Sequence, residues 1–384
     1  MKILYISHAS ALSQGSVKAL ISIVTAMKKS GCDVAVLFPK DGEAIKICKK
    51  NDIRAEIIPF FASTYPSCKT FRSKITFLYH LIRDNIITNY RASLFLDKLI
   101  DSFKPDIIHT NVGVINIGLH AAKRKSIPHV WHIRENAEGF YSYKPFPSFS
   151  YKMRLLKEND ANIAITKDIF NTYNMSRDNS YVVYDGVFNI ENVPDINMNK
   201  KKYFLFVGAL IKNKGIDWAI NAFMKIKDDY PDFRLLIAGE GSNSFYKELK
   251  FHCEQGDKNK QIEFLGYRSD VYSLMQNATA LLVPSIKEGF GFITAEAMLN
   301  GCLVLGRNTG GTKEQFDNGV ILTGNEIGLR FDNEDELVYL MKKLCDKGIM
   351  QYENMIHKAK ETVLNLYSSD KNAKSVLDIY NKLI

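Results

Sequence analysis

Short aliphatic runs recur along the first half of the chain: Ile3 to Ile6, Val34 to Phe38, Ala55 to Ile58, Asp106 to His109, His129 to Trp131, Ala161 to Ile165 and Tyr181 to Tyr184. Longer stretches of mixed polarity separate them. Runs of this kind read as buried strands, and the stretches between them as crossover helices, so a parallel sheet is predicted. A polar, Pro-containing stretch from Asn189 to Asn199 interrupts the pattern. A second series then follows, at Tyr203 to Val207, Phe233 to Ala238, Ile262 to Leu265, Ala280 to Val283 and Leu303 to Leu305. The economical reading is two doubly wound α/β domains, residues 1–188 and 189–366, with a last helix over about 367–384 packing back on the first. Ligands are expected beyond the carboxyl ends of the strands.

One segment stands apart from this alternation. Between Lys69 and Leu99, Phe71, Ile75, Leu78, Tyr79 and Ile82 follow helical spacing, while Arg72, Lys74 and Arg83 supply charge. A buried helix face explains such a pattern, and so does an amphipathic helix lying on a membrane surface. Charge leans toward the second. Residues 1–185 hold 26 Lys and Arg against 16 Asp and Glu, whereas residues 186–384 hold 25 against 26, so the whole basic excess belongs to the first half. That excess suits an anionic membrane or an anionic acceptor. Nucleic acid is not expected, because no basic-aromatic binding motif accompanies the charge.

The remaining composition narrows the setting. No apolar stretch approaches the roughly 18 residues of a membrane span, and the opening Met1 to His8 reads as a first strand without a cleavage pattern. Six cysteines (Cys32, Cys48, Cys68, Cys253, Cys302, Cys345) form no Cys-x-x-Cys pair. Neither a zinc site nor a disulfide framework is indicated, and a cytoplasmic location is expected.

The segment richest in chemistry runs from Pro284 to Met298, Pro-Ser-Ile-Lys-Glu-Gly-Phe-Gly-Phe-Ile-Thr-Ala-Glu-Ala-Met. A buried strand ends at its start, Gly289 and Gly291 mark a tight turn, and a helix begins near Ile293. Glu288 therefore leaves the strand and Glu296 sits in the first helical turns. Backbone N–H groups at the helix start lie between the two acids and suit a phosphate. Three further strand-to-turn junctions accompany it. Gly208-Ala-Leu-Ile-Lys-Asn-Lys-Gly215 places Lys214 before a helix, Ile237 to Ser242 contains the turn glycine Gly239, and Phe264 to Arg268 contributes Tyr267 and Arg268; Thr309 to Glu314 carries a glycine pair.

In order and spacing this set resembles the retaining nucleotide-sugar glycosyltransferases of family 4, closely over residues 200–320 and more loosely over the first half. The resemblance implies the GT-B fold, two doubly wound Rossmann-like domains facing across a cleft, with residues 1–188 on the acceptor side and residues 189–366 binding the nucleotide sugar. It implies that Glu296 accepts hydrogen bonds from the ribose and Glu288 from the donor sugar, since an ionised acid can accept from a diol. The amides of Phe290, Gly291 and Phe292 would approach sugar and phosphate, with Gly208 and Gly239 at the neighbouring turns. Lys214 would neutralise the pyrophosphate, and Tyr267 and Arg268 would lie near the base. In the first half, Gly15 represents the family's glycine loop, and His132 matches a histidine placed near the reacting sugar. His8 and His109 also end predicted strands, and His109, Arg134 and Glu135 are candidates for acceptor contacts.

Three positions depart from the family pattern. Ala209 stands where an arginine usually shares the pyrophosphate, a contact of roughly 1.5 to 3 kcal/mol, with Arg268, Arg307 and Lys212 as candidate substitutes. The glycine loop keeps one glycine, and Asp185-Gly-Val replaces Asn-Gly-Val. The implied chemistry is transfer of a sugar, from a UDP-linked donor, to a hydroxyl with the anomeric configuration retained, using no cofactor beyond that cosubstrate. Catalytic roles would fall to His132, Lys214 and Glu288. No Asp-x-Asp pair is placed for a metal-nucleotide site, so metal independence is expected. The expected acceptor is a saccharide or lipid-linked saccharide in bacterial surface polysaccharide or glycolipid synthesis, and the protein would be peripheral on the inner face of the cell membrane. A sugar-nucleotide epimerase on the same scaffold, and an inactive subunit supporting an active partner, stay open.

Overall fold

In the computed structural model, residues 1–66, 71–136, 143–188, 193–241, 244–257 and 259–384 are described. Lys69, Cys68, Ser242 and the first residues of the predicted linker, 189–192, lie outside them. The chain divides into two compact units, Met1–Gly186 with Ser369–Ile384, and Val187–Ser368.

The first unit is built on seven parallel strands. They are β1 (Lys2–Ile6), β2 (Asp33–Phe38), β3 (Arg54–Ile57), β5 (Ile107–Thr110), β6 (His129–Ile133), β8 (Ala161–Ala164) and β9 (Ser180–Val182), in the spatial order β3-β2-β1-β5-β6-β8-β9. Period-two alternation along β1 sends Ile3 and Tyr5 into one core, with Val17, Leu20 and Val24 of the helix Gly15–Lys29. Leu4 and Ile6 enter the core on the other face, with Leu96, Leu99 and Ile100. Each such side chain contributes about 1.5 to 3 kcal/mol by leaving water. The last helix, Ser369–Asn381, buries Ala373, Val376, Ile379 and Tyr380 in the same cluster as Ile3 and Tyr5. A small antiparallel pair, β4 (Thr64–Pro66) with β7 (Tyr143–Pro145), was not foreseen, because three-residue strands carry too little pattern.

The second unit has six parallel strands. These are β10 (Lys201–Val207), β11 (Arg234–Ala238), β12 (Ile262–Gly266), β13 (Ala278–Val283), β14 (Val304–Arg307) and β15 (Leu329–Phe331), ordered β12-β11-β10-β13-β14-β15. The strand order reverses between β10 and β13. That is the point at which an open α/β sheet leaves a crevice for a ligand. The short β15 again escaped the sequence pattern. Phe204, Leu235, Ile237, Leu282 and Leu305 form the inner core with Ile216, Ile220 and Phe223 of the helix Ile216–Met224.

The segment with ambiguous periodicity is helical, and Ile75, Leu78, Tyr79 and Ile82 of its named face are not buried. Helix Phe71–His80, a π-helical stretch Leu81–Thr88 and helix Asn89–Phe103 follow one another without a break. Along them Ile75, Leu78, Tyr79, Ile82, Ile86, Ile87, Tyr90 and Leu94 are between 46% and 65% exposed, which overturns the buried-face reading. A π turn holds more residues than an α turn, so each advances by a smaller angle. This lag brings Ile87, Tyr90 and Leu94 onto the face begun by Ile75, Leu78 and Ile82. Among the described residues no helix is long and apolar enough to cross a membrane.

Candidate active site

In the second unit, the chemistry collects at the carboxyl ends of β10 and β13. The Lys214 ammonium donates to both carboxylate oxygens of Glu288, at 2.7 and 3.0 Å, and the Ser285 hydroxyl donates to Glu288 Oε1 at 2.7 Å. Lys214 comes from a short 3₁₀ turn, Lys212–Lys214, which is tied to the other strand end by the Ile286 amide donating to the Asn213 carbonyl at 3.0 Å. The pair is half open, with side-chain exposures of 34% and 12%. An ammonium has three N–H donors and a carboxylate about four lone-pair positions. Paired as they are, Lys214 keeps one donor and Glu288 one acceptor position for a ligand.

The turn after Glu288 is clamped from below. Gly291 sits at φ +86° as the N-cap of the helix Phe292–Leu299, a conformation that favours glycine. A Cβ on Gly310 or Gly311 would lie 2.7 Å from the Glu288 carbonyl oxygen or 2.2 Å from that of Phe290, so the glycine pair lets the two backbones touch. The Gln315 side-chain amide donates to the carbonyls of Phe290 and Gly291, at 2.7 and 3.1 Å. The Phe290 ring is buried, 5.3 Å from Phe292 and 5.2 Å from Tyr367. The turn is therefore rigid before any anion meets the helix N-terminus.

Around this centre the other residues differ in readiness. Glu296, in the second turn of that helix, accepts from the Tyr272 hydroxyl at 3.3 Å. Tyr267 is 73% exposed. Gly208 and Gly239 occupy adjacent strand ends, the Gly208 amide donating to Ala238 and the Gly239 amide to Gly266. Ala209 is exposed, and two of its candidate substitutes are engaged locally. Arg268 donates to both oxygens of Asp270, at 2.8 and 2.6 Å, and the Arg307 guanidinium lies 4.1 Å from the centre of the Trp218 ring.

The first unit holds a different kind of cluster. Parallel register sets Tyr5 beside His109, with ring centroids 4.9 Å apart, and His132 follows on the next strand, its Nδ1 3.3 Å from His109 Nε2. Arg134 Nη2 donates to the same His132 Nδ1 at 3.3 Å, its Nε donates to Asn111 Oδ1 at 2.7 Å, and its Nη1 donates to Asp185. On the other side, the Tyr380 hydroxyl is 2.6 Å from His109 Nδ1 and 2.9 Å from the Tyr5 hydroxyl. Burial drives the pKa of His109 and His132 well below the usual range, and the positive charge of Arg134 adds to this, so both rings are neutral. Burial raises the Asp185 carboxyl against the pull of Arg134, but the direct ion pair keeps it a carboxylate.

Three sequence expectations change here. His132 lies inside β6, fully buried, because the strand runs two residues past Trp131. His109 is likewise within β5 and fully buried, with both ring nitrogens engaged, so it does not line an open surface. Arg134 is 5% exposed and committed to Asn111, Asp185 and His132, which makes it a holder of the cluster, not an acceptor contact. Glu135 is half-buried, with its carbonyl accepting from the Tyr173 hydroxyl at 3.3 Å. Gly15 opens the helix Gly15–Lys29 behind Gln14.

Two family models divide the chain between them. Glycosyltransferase Family 4 matches residues 13–187, and Glycosyl transferases group 1 matches residues 189–362. The chain belongs to the family 4 type of glycosyltransferases. An uncharacterized glycosyltransferase of Methanocaldococcus jannaschii is 28% identical over 233 residues, covering 56% of this chain and 57% of that protein. The N-acetyl-alpha-D-glucosaminyl L-malate synthase of Bacillus anthracis is 27% identical over 230 residues, covering 59% and 57%. The matches thus span somewhat over half the length of these relatives. Among solved structures, Anabaena HepE in complex with UDP superposes with a TM-score of 0.77 at 18% identity over 100% of both chains. The lipopolysaccharide outer core galactosyltransferase WaaB gives 0.70, also at 18% over 100% of both. These likenesses show the fold, GT-B.

Within this glycosyltransferase, several contributors were missing from the sequence reading. Ser285 and Gln315 hold Glu288 and its turn, and each stands beside a motif already noted, Pro284 and Glu314. Asp185, where the family has asparagine, forms an ion pair with Arg134. Tyr5 and Tyr380 had no local signal.

Proposed function

We propose that the chain transfers a sugar from a UDP-linked donor to a hydroxyl acceptor with retention at the anomeric carbon, in the synthesis of a bacterial surface polysaccharide or glycolipid. The observation that carries this reading is the Lys214–Glu288 pair at the β10/β13 reversal, beside a clamped turn at a helix N-terminus. UDP and UDP-glucose are the ligands named for the HepE structures, which supports a UDP sugar here. In this reading Glu288 accepts from a sugar hydroxyl, Glu296 from the ribose, and the third Lys214 N–H meets the diphosphate. Tyr267 and Arg268 adjoin the base, and Gly15 the phosphates or the acceptor.

The bond from the anomeric carbon to the phosphate oxygen breaks while the acceptor oxygen bonds to the same face of that carbon. The acceptor's proton passes to the departing phosphate. Negative charge grows on that leaving group, and Lys214 with the helix-end amides is preorganised to stabilise it. His132 is read as touching the reacting sugar.

A lipid-linked acceptor is favoured by the exposed apolar face from Ile75 to Leu94, which carries two tyrosines and is bordered by the exposed basic residues Arg72, Arg91 and Lys98. Apolar side chains with tyrosine and basic residues at their margin suit an anionic bilayer surface. In this reading the chain attaches peripherally to the inner face of the cell membrane. A panel of nucleotide sugars tested by thermal shift, then by transfer to lipid-linked saccharides, examines the whole reading, because a ligand of the native state raises the melting temperature. A UDP sugar that stabilises the protein and is consumed only with acceptor supports it; epimerisation of the donor alone refutes the transferase reading.

A further inference from the structure

Helix Val271–Asn277 follows β12 and helix Phe292–Leu299 follows β13, so both begin beyond the carboxyl ends of strands, on the side where a ligand is expected. The two helices are in contact, and residues four apart on each share the meeting face. Tyr272 meets Glu296, its hydroxyl donating to Oε1 at 3.3 Å; one turn further along, the Gln276 side-chain amide donates to Asn300 Oδ1, also at 3.3 Å. The helices therefore run parallel, joined by two rungs.

The lower rung is locked. Lys200 donates to the Gln276 carbonyl at 2.8 Å and to the Gly301 carbonyl at 2.7 Å, and the Tyr203 hydroxyl donates to the Leu274 carbonyl at 2.6 Å. Asn300 Nδ2 donates back to the Glu296 carbonyl at 2.8 Å. These bonds set the spacing of the pair toward its carboxyl ends, and the upper rung inherits that spacing. The upper rung itself is open, with Glu296 half-buried and Tyr272 50% exposed. Partial burial, and then the charge of Glu296, push the Tyr272 hydroxyl up to about 12, so it remains a donor at neutral pH.

We propose that Tyr272 is a positioning residue for a ribose diol: its hydroxyl holds the Glu296 carboxylate in one orientation, and through this pair the chain prefers ribonucleotides to 2′-deoxyribonucleotides. Ribose as the partner of Glu296 rests on the transferase reading above; the locked pair of helices does not. A carboxylate on an exposed, freely turning stem must be stopped before it can bind, and Tyr272 has stopped this one in advance. Held in place, it meets both ribose hydroxyls at once. Facing a 2′-deoxyribose, it keeps an acceptor position that it can neither fill nor turn toward water, which is how a site built to bind a hydroxyl rejects the analogue lacking it. A carboxylate free to turn finds water instead, and the preference fades.

Calorimetry on the full chain with UDP and 2′-deoxy-UDP, for the wild type, Tyr272→Phe and Lys214→Ala, tests this. The wild type is expected to bind UDP about tenfold more tightly than 2′-deoxy-UDP, the scale of one hydrogen bond to a charged group. Tyr272→Phe keeps the ring and drops the hydroxyl, so it should cut that ratio to about twofold by weakening UDP alone. Its melting temperature without ligand should match the wild type. Lys214→Ala should weaken both nucleotides alike and leave the ratio as it was. A wild type indifferent to the 2′-hydroxyl, or a ratio that survives Tyr272→Phe, overturns the proposal; if UDP still binds and Lys214→Ala weakens it, the donor reading stands. Equal loss of both nucleotides in Tyr272→Phe, with a lowered melting temperature, marks a merely structural role and also overturns it. Failure of the wild type to bind either nucleotide overturns the proposal and the donor reading together.

Discussion

The two units keep their chemistry in opposite ways. In the second unit the polar groups stand half open on strand ends and turns, Lys214 against Glu288 and Glu296 beside Tyr272, and the backbone around them is fixed by glycine contacts and Gln315. In the first unit they are buried together, where His109, His132, Arg134, Asp185 and Tyr380 bond to one another. A site that must admit and release a charged nucleotide needs groups that stay solvated between turnovers. A buried group has its protonation decided by its neighbours and not by water.

The sharpest break in this comparison should come from the buried ion pair. Replacing Asp185 by the family's usual asparagine leaves Arg134 charged and unpaired, at a cost of about 3 to 5 kcal/mol measured by urea unfolding. Next come Lys214→Ala and Glu288→Ala, each expected to remove about 10²- to 10³-fold of transfer, as for other charge-stabilising groups. Unlike Asp185→Asn, they should hardly move the unfolding midpoint, because their groups are partly solvated already.

Acid should distinguish the units as well. The shifted histidines, His8, His109, His120, His129 and His132, all belong to the first unit; burial pulls His8 down to about 4 and His129 to about 3. Their unfolded forms take up protons first as pH falls below about 6.5. The stability they contribute is therefore full above that pH and is lost on the way down toward 4. On the order of 1.4 kcal/mol should disappear per buried histidine between pH 7 and 5.5. Urea midpoints across that range, with hydrogen exchange to locate the opening, check both the sign and the place. The smallest effect is a gain: Ala209→Arg should tighten UDP-sugar binding about tenfold by calorimetry, equivalent to about 1.4 kcal/mol, by restoring a charge-assisted contact on an exposed backbone position.

Sequence reading located the candidate groups whose placement is local. Lys214–Gly215 and Glu288 to Glu296 are contiguous motifs at strand-to-helix junctions, and strand alternation placed those junctions without knowledge of the tertiary contacts. It failed where a group acquires its meaning from register. Nothing near Tyr380 announces a partner at His109, since the two meet only after seven strands have set their order and the last helix has returned to the first sheet. Asp185 looked like a minor change from asparagine until Arg134 appeared beside it. The apolar periodicity from Ile75 to Ile82 was legible too, but spacing reports which residues share a face and not what the face meets.

The central claim is that donor recognition belongs to the open strand ends of the second unit. Hydrogen exchange of the full chain, followed by mass spectrometry with and without a UDP sugar, tests it most directly. The account predicts added protection over residues 208–215 and 288–296, lost in Lys214→Ala. Protection confined to other segments, or none with any nucleotide sugar that binds, would contradict it.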